Sequence, residues 1–166
     1  MRIFLVGYMY CGKTTVGQAL ARMLGYGFVD LDQLFEQRYH TTIPIFFKRY
    51  DEGAFRILEQ QILHSTTAMD DVVISTGGGT PCHADNMDWI NAHGTSVYLD
   101  ASVDCILARA AQSRKVRPVL TGMTEDERAV FVARQLHERE QYYRQAHHRV
   151  PADKPDLESL RLAVGG

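Results

Sequence analysis

The sequence predicts an α/β protein built on a parallel sheet. Short apolar runs of four or five residues, rich in β-branched side chains, alternate with longer stretches of helical periodicity. The chain has 166 residues, of which 45% are hydrophobic and 23% charged, a composition typical of a globular domain that buries a core. We therefore expect residues 1–166 to form a single domain.

The first predicted strand covers residues 3–6 and ends at Gly7. This apolar run is shorter than the core of a signal peptide, and no run in the chain approaches the roughly 20 residues of a membrane span. We expect a protein that is neither exported nor inserted in a membrane.

A phosphate-binding loop follows this strand. Residues 7–14, GYMYCGKT, match G-x-x-x-x-G-K-[ST] between a predicted strand and a predicted helix. Loop N–H groups would surround the β-phosphate of ATP, Lys13 would neutralise phosphate oxygens, and the Thr14 hydroxyl would bind Mg²⁺. The expected ATP contacts in this region are Gly7, Tyr10, Cys11, Gly12, Lys13, Thr14 and Thr15.

The first helix is indicated by Val16, Leu20, Met23 and Leu24, which recur at helical spacing. Gly25 follows directly and is expected to end the helix in a left-handed conformation. This helix should pack on the sheet.

The second predicted strand, Gly27–Asp30, leads into Asp30-Leu31-Asp32. Side chains two apart in a strand share a face, and ligands of parallel sheets bind at the carboxyl ends of the strands. One carboxylate could hold Mg²⁺ and the other accept a proton from an attacking hydroxyl. Alternatively, Asp32 is a helix N-cap, which would not exclude catalysis.

A helical face at Phe55, Leu58 and Ile62 precedes the third predicted strand, Val72–Ser75. That strand ends in three consecutive glycines, whose bare backbone would permit close approach of a ligand or simply form a tight turn. These glycines are Gly77, Gly78 and Gly79.

The remaining segments continue the alternation. Strands are expected at residues 95–99 and 148–150. Helical faces are marked by Met87 and Ile90, by Val103, Ile106, Leu107 and Ala110, and, in the last helix, by Leu157, Leu160 and Val164. Residues 124–145 should form a long solvated helix with apolar Val130, Ala133, Leu136 and Tyr143. Between two of these helices, residues 111–124 hold Arg114, Lys115, Arg117 and Gly122 with few apolar anchors. This composition predicts a mobile basic loop that could act as a lid.

The formal net charge is −2, so no overall basic field exists to attract nucleic acid or anionic lipid. The cysteines Cys11, Cys82 and Cys105 are too few and too scattered for a disulfide framework or a zinc site. We expect a cytoplasmic protein without nucleic-acid or membrane partners.

In this order along the chain, the motifs resemble those of the shikimate kinases of the nucleoside monophosphate kinase superfamily. The resemblance covers nearly the whole sequence. Its motifs are the phosphate loop, Asp30-x-Asp32, the triple glycine, Arg117-Pro118-Val119-Leu120, Glu52-Gly53-Ala54-Phe55-Arg56-x-x-Glu59 and Arg139-x-x-x-Tyr143.

The resemblance implies a three-layer P-loop kinase fold, with a five-stranded parallel sheet of order 2-3-1-4-5 between helices and a lid at about residues 111–124. It also implies transfer of the ATP γ-phosphate to the 3-hydroxyl of shikimate, giving shikimate 3-phosphate and ADP, with Mg²⁺ as cofactor. We expect the protein to act as a monomer.

Residue by residue, the resemblance assigns Asp32 to the substrate hydroxyl as orienter or base. It assigns Arg56 and Arg139 to the substrate carboxylate, a use that suits the bidentate guanidinium. Gly78, between Gly77 and Gly79, would face the ring hydroxyls.

The resemblance also assigns a residue that supports Arg56 and several residues that contact the nucleotide and its metal ion. Glu59 would brace Arg56, Asp30 would hold Mg²⁺ with Thr14, and Arg117 would reach the phosphates as charge develops. The adenine contact would be Arg109, with Arg114 as the alternative, and Lys154 would contribute from the loop at residues 152–154.

The chain departs from the family pattern at three positions. Tyr8 and Tyr10 stand where the family usually has Pro or Phe and Gly, so we expect their phenols to crowd the phosphate loop and Tyr10 to narrow the acceptor pocket. Gln141 replaces a family proline. In addition, Cys11 lies near Lys13 at a helix N-terminus, an electropositive setting that could make its thiol reactive, with an inert thiol as the alternative.

Two other functions remain open from the sequence. One is a related kinase for a small acceptor such as gluconate or a nucleoside monophosphate. The other is a sensor that binds nucleotide and shikimate without turnover, which would have no need of Asp32 and Arg117.

Overall fold

A five-stranded parallel sheet forms the centre of the structure, a computed structural model that describes residues 1–114 and 117–165. The strands are β1 (Arg2–Val6), β2 (Gly27–Asp30), β3 (Val72–Ser75), β4 (Thr95–Asp100) and β5 (His148–Pro151). Their order in the sheet is β2-β3-β1-β4-β5 and every pairing is parallel, which confirms the predicted topology.

Helices cover both faces of this sheet. The described residues form the helices α1 (Lys13–Leu24), α2 (Leu31–Tyr39), α3 (Ile43–Arg49), α4 (Glu52–Ser65), α5 (Asn86–His93), α6 (Val103–Gln112), α7 (Glu125–Tyr143) and α8 (Leu157–Gly165). Successive side chains of a strand point to opposite faces, and all of residues 3–6 and 72–75 are buried. The three-layer arrangement is therefore confirmed.

The ends of α1 follow from two glycines in the left-handed region. Gly12 precedes the helix with φ 96°, and Gly25 follows it with φ 71°. The Gly25 N–H donates to carbonyls in the last turn, as predicted. Gly12 supplies no side-chain cap, so the N–H groups of the first turn remain available to an anion.

Two short helices follow β2, of which α2 was implied only by the N-cap alternative for Asp32 and α3 was not predicted from the sequence. The first begins directly where β2 ends, and the second has only seven residues with a proline in its first turn. Both are stabilised by aromatic packing, because Phe35 of α2 lies with its ring centroid 5.4 Å from Phe46 of α3 and 5.1 Å from Phe55 of α4. This aromatic cluster holds α2 and α3 against the first turn of α4.

The long polar helix is confirmed as α7, and only some of the apolar residues named for it are buried. Val132, Leu136 and Tyr143 are buried, whereas Val130 is 60% exposed. Six residues separate Val130 from Leu136, which places their side chains about 120° apart around an α-helix. The apolar character of Val130 therefore does not mark the buried face of α7.

The basic segment between α6 and α7 is described in part. Arg114 lies at an exposed bend, and residues 118–120 form one turn of 3₁₀ helix whose last residue, Leu120, is buried. Lys115, which the sequence assigned to this segment, lies outside the described residues. None of the helices described here has both the length and the apolar character needed to cross a membrane.

Candidate active site

Most of the predicted site residues meet in one cavity of about 520 Å³ at the carboxyl ends of the central strands. Because β2, β3 and β1 are neighbours in the sheet, their three following loops converge there. The predicted residues that line the cavity are Tyr10, Gly12, Lys13, Thr14, Thr15, Asp30, Asp32, Arg56, Gly77, Gly78, Gly79, Arg117 and Arg139.

A larger groove of about 680 Å³ lies elsewhere, between α2, α3 and α4. Its walls are mostly apolar, with Ile45, Tyr50 and Ile57 exposed, and the residues of the phosphate loop do not line it. We place the active site in the smaller cavity because the groups suited to phosphate and carboxylate are there.

The phosphate loop joins β1 to α1 and is held by the buried side chain of Lys13. Its ammonium group donates to the carbonyls of Gly7 at 2.7 Å and Tyr8 at 3.0 Å. A turn closed by the Cys11 N–H and the Tyr8 carbonyl, 3.2 Å apart, completes the loop. These contacts hold a positive charge and the N-terminus of α1 at the floor of the cavity.

Cys11 itself is buried, which favours the inert alternative over a reactive thiol. Its side chain is 1% exposed and its sulfur lies 3.6 Å from the Lys13 ammonium nitrogen. The thiol packs beneath the loop, so only the backbone of Cys11 could contact phosphate.

Asp30 and Asp32 both line the cavity, but not through the predicted strand geometry. Asp30 ends β2 and caps α2, because its Oδ1 accepts from the N–H groups of Asp32 at 2.9 Å and Gln33 at 3.3 Å. Asp32 therefore lies in the first turn of α2, and the N-cap alternative for Asp32 is wrong. The abrupt change from strand to helix brings both carboxylates to the same side.

Asp30 also contacts the phosphate loop. Its Oδ2 lies 3.3 Å from the Thr14 hydroxyl, which donates to it. A carboxylate and a hydroxyl are hard oxygen ligands of the kind that Mg²⁺ takes in addition to phosphate oxygens and water. In the part of the chain that the structure describes, no group of three or more His, Cys, Asp or Glu side chains is arranged to hold a metal ion.

Arg56 is held by a buried acid on the same helix. Its Nη1 donates to Glu59 Oε1 at 2.8 Å, and Thr80 donates to the other Glu59 oxygen at 2.9 Å. Burial raises the pKa of Glu59, while Arg56 and Thr80 oppose this rise. The brace expected between Glu59 and Arg56 is present, and Thr80 is a supporting residue that the sequence analysis did not identify.

The triple glycine allows side chains from three elements to converge. A Cβ on Gly77 would lie 2.8 Å from the Thr80 hydroxyl and 3.1 Å from Asp32 Oδ1, and one on Gly79 would lie 2.7 Å from Arg56 Nη2. Close approach, more than turn geometry, thus requires glycine here.

Arg139 enters the cavity from α7 and stacks on a tyrosine of the phosphate loop. Its guanidinium carbon lies 5.7 Å from the ring centroid of Tyr8, whose hydroxyl donates to Gln135 at 2.6 Å. Tyr8 is 1% exposed, and burial raises its pKa to about 12. The expectation that Tyr8 crowds the loop is wrong, because its ring points into the core under Arg139.

Tyr143, also on α7, ties this helix to the triple glycine. Its buried hydroxyl donates to the Gly78 carbonyl at 2.5 Å. Burial raises the pKa of Tyr143 well above its usual value, so the phenol stays a neutral donor. The sequence motif included Tyr143, but nothing in its spacing indicated this contact.

On the opposite side, Arg109 rather than Arg114 contacts the phosphate loop. Its guanidinium donates to the carbonyls of Tyr10 at 3.3 Å and Ala152 at 2.8 Å. Lys154 follows Ala152 by two residues and is exposed outside the cavity. These contacts place Arg109 between the loop and the turn that carries Lys154.

Arg117 extends over the acceptor side of the cavity. Its Nη1 lies 3.8 Å from Asp32 Oδ2, and its backbone N–H donates to the Tyr10 hydroxyl at 3.0 Å. Met9, Phe47 and Val119 also line the cavity and were not predicted to do so. Phe47 could not have been placed without the helix α3, which carries it.

A comparison with protein-family models matches residues 9–160 to the shikimate kinase family. A curated relative named shikimate kinase, from Bacteroides fragilis, is 46% identical over 154 residues, covering 93% of this chain and 86% of the relative. Arg56, Asp32 and residues 9–14 of the phosphate loop lie within the segment that the family model matches.

Solved structures agree with this match. The crystal structure of a shikimate kinase from Bacteroides thetaiotaomicron has a TM-score of 0.92 at 40% identity, covering 98% of this chain and 95% of that one. A shikimate kinase from Acinetobacter baumannii in complex with shikimate has a TM-score of 0.84 at 32% identity, covering 98% and 89%.

Proposed function

The chain belongs to the shikimate kinase family, and on that premise we propose that its cavity transfers the γ-phosphate of ATP to the 3-hydroxyl of shikimate, releasing ADP and shikimate 3-phosphate. One observation carries this proposal above all. The phosphate loop forms one side of the cavity, and the guanidinium groups of Arg56 and Arg139 line the same cavity with Asp32. A nucleotide and a small carboxylated acceptor can therefore bind side by side.

The nucleotide side is suited to the β- and γ-phosphates of ATP. The N–H groups at the start of α1 and the Lys13 ammonium group present positive charge to phosphate oxygens. Thr14 and Asp30 would hold Mg²⁺, which supplies neutralisation of phosphate charge when bound. Arg109, Lys154 and the backbone around Tyr10 and Cys11 would contribute further nucleotide contacts, with Arg109 favoured for adenine.

The acceptor side is suited to a small carboxylate with ring hydroxyls. Arg56 and Arg139 would bind the carboxylate, because a guanidinium donates two parallel hydrogen bonds to it. Glu59 fixes Arg56 and Tyr8 supports Arg139, so both donors are oriented before substrate arrives. The backbone at Gly77, Gly78 and Gly79 would face the hydroxyls.

Asp32 is the group placed to handle the acceptor proton. As the 3-hydroxyl oxygen forms its bond to the γ-phosphorus, the hydroxyl proton passes to the Asp32 carboxylate and the bond to the bridging oxygen of ADP breaks. The Arg117 guanidinium near Asp32 would stabilise the charge that develops on the transferred group.

Residues 111–124 would act as the lid over this reaction. Arg117 and Val119 from this segment line the cavity, and Leu120 is buried behind them. Such a cover would exclude water, which competes with shikimate for the γ-phosphate.

We also propose that residues 1–166 act as one domain and as a monomer in the cytoplasm, without nucleic acid. The proposed contacts to both substrates come from one chain, and the net charge of −2 supplies no attraction to polyanions.

An acceptor panel tests the proposed function. The purified protein is given ATP and Mg²⁺ with shikimate, gluconate, a set of nucleoside monophosphates or no acceptor, and ADP release is measured. We expect release to depend on shikimate. Stimulation by gluconate or a nucleotide instead would identify a different kinase, and ATP binding without stimulated release by any acceptor would favour the sensor.

A further inference from the structure

Tyr10 connects the phosphate loop to the segment that carries Arg117. We propose that Tyr10 is a positioning residue whose hydroxyl fixes the backbone of Arg117, so that the guanidinium is held over the reacting phosphate before transfer begins. This inference rests on the proposed function of Arg117 in phosphoryl transfer.

The backbone of Tyr10 is the first observation behind this proposal. Tyr10 has φ 64° and occupies the third position of the turn closed by the Cys11 N–H and the Tyr8 carbonyl. That position favours glycine, and a bulky aromatic residue there costs conformational free energy. A strained residue at a functional site persists only where its surroundings hold it, and it often has a role there.

The surroundings hold Tyr10 at both ends. Its carbonyl accepts from Arg109, which is itself bonded to the Ala152 carbonyl at 2.8 Å. Its hydroxyl accepts from the backbone N–H of Arg117 at 3.0 Å. The Tyr10 side chain therefore connects the phosphate loop to the segment that begins at Arg117. Arg109 of α6 supports the loop end of this connection.

The hydrogen bond between the Arg117 N–H and the Tyr10 hydroxyl fixes the backbone position from which the Arg117 side chain extends. With its backbone N–H tied to Tyr10, Arg117 directs its guanidinium to within 3.8 Å of Asp32 Oδ2. This places the guanidinium beside Asp32, in the cavity that the phosphate loop also lines. A charge held there in advance stabilises the transition state without the cost of ordering it during the reaction.

Tyr10 also lines the cavity, so it could instead act directly on the acceptor as a wall. The two roles predict different kinetics. If Tyr10 acts through Arg117, replacing Tyr10 should lower kcat, and the same replacement should have no effect once the Arg117 guanidinium has been removed. If Tyr10 is a wall of the acceptor site, replacing it should change the KM for shikimate, and should do so equally in the Arg117→Ala protein.

The test is a double-mutant cycle with Tyr10→Phe and Arg117→Ala. Tyr10→Phe keeps the ring and the backbone conformation but removes the acceptor oxygen, and Arg117→Ala keeps the backbone N–H. Turnover is measured in the steady state and, for the Arg117→Ala chains, in single turnover with enzyme in excess. Tyr26→Phe is the matched control, because the Tyr26 hydroxyl contacts the exposed Met1 far from the cavity.

Loss of one such hydrogen bond should lower kcat by about three- to tenfold, with the KM for shikimate changed by less than about twofold. The control should match the unmodified chain. In the Arg117→Ala background, Tyr10→Phe should cause no further loss.

Four results would overturn the inference. Full kcat in Tyr10→Phe would show that the hydroxyl has no role in catalysis. An equal loss in both backgrounds, or a change confined to the KM for shikimate, would show that Tyr10 acts independently of Arg117. If the unmodified chain itself shows no turnover dependent on shikimate, the proposed function fails and this inference with it.

Discussion

At the scale of single residues, the binding of the acceptor depends on how Arg56 is held. Its guanidinium is fixed by the buried Glu59 carboxylate, so little ordering remains to be done when a carboxylate arrives. A lysine at this position keeps the charge but loses the planar pair of donors.

We therefore predict that Arg56→Lys raises the KM for shikimate about tenfold or more, which corresponds to roughly 1.5–3 kcal/mol. The KM for ATP should change little. The measurement is steady-state kinetics with each substrate varied, and Arg22→Lys, exposed in the last turn of α1, is the control. An unchanged KM for shikimate would remove Arg56 from the acceptor site.

Asp32→Asn tests the proton acceptor. The amide keeps the size of the side chain but cannot take the hydroxyl proton, so kcat should fall by about 10²–10⁴. ATP binding, measured by calorimetry, should survive, and Asp88→Asn on the exposed side of α5 is the control. Full turnover by Asp32→Asn would exclude Asp32 from the mechanism.

The sequence indicated the identity of these residues but not their orientation. A phosphate loop and a strand followed by acidic residues can be recognised from spacing, because backbone geometry dictates that spacing. The direction of the Tyr8 ring depends on packing against α7, more than 100 residues away, and Asp32 lies in a helix whose start is set by the Asp30 cap. Such contacts between distant segments leave no local pattern.

At the scale of elements, the long helix α7 is joined to the loop after β3 by Tyr143. Its hydroxyl donates to the Gly78 carbonyl, and the same helix supplies Arg139 to the cavity. The bond therefore sets the distance between two parts of the acceptor site.

Tyr143→Phe should lower the free energy of unfolding by about 1–3 kcal/mol, because the half-buried Gly78 carbonyl loses its short hydrogen bond and keeps only the weak contact of the Cys82 thiol at 4.0 Å. It should also raise the KM for shikimate while kcat changes less. Chemical denaturation and steady-state kinetics measure both effects. Tyr142→Phe, the preceding residue on α7, is the control, and a Tyr143→Phe protein with unchanged stability would contradict the structural role of this bond.

Elements with a clear period were predicted, whereas the short helix α3 was missed and α2 was implied only by the N-cap alternative for Asp32. Each depends on tertiary packing of Phe35, Phe46 and Phe55 more than on its own periodicity. The strand order itself followed from the resemblance to a family, since local patterns do not contain it.

At the scale of the whole molecule, the buried Glu59 links folding stability to pH. Burial raises its pKa above the ordinary value of 4.5. A carboxyl group whose pKa is raised on folding contributes stability that is fully present below the unfolded-state pKa and is lost as pH rises through the folded-state pKa.

Glu59→Gln removes this titration. The unfolding free energy of the unmodified chain minus that of Glu59→Gln should therefore decrease as pH rises above about 4.5. Denaturation at several pH values measures this difference. Glu158→Gln is a control of opposite sign, because Arg161 lowers the pKa of the exposed Glu158. A difference for Glu59 that rises with pH would contradict its raised pKa.

At this scale, the nucleotide side and the acceptor side of the cavity should act together to transfer one phosphate from ATP to shikimate. The most direct test is the amount of shikimate 3-phosphate formed per ADP released, determined by phosphorus NMR of the product mixture. We predict one phosphorylated shikimate for each ADP, with the phosphate on the 3-hydroxyl. ADP release without phosphorylated shikimate, or phosphate on another hydroxyl, would contradict the account.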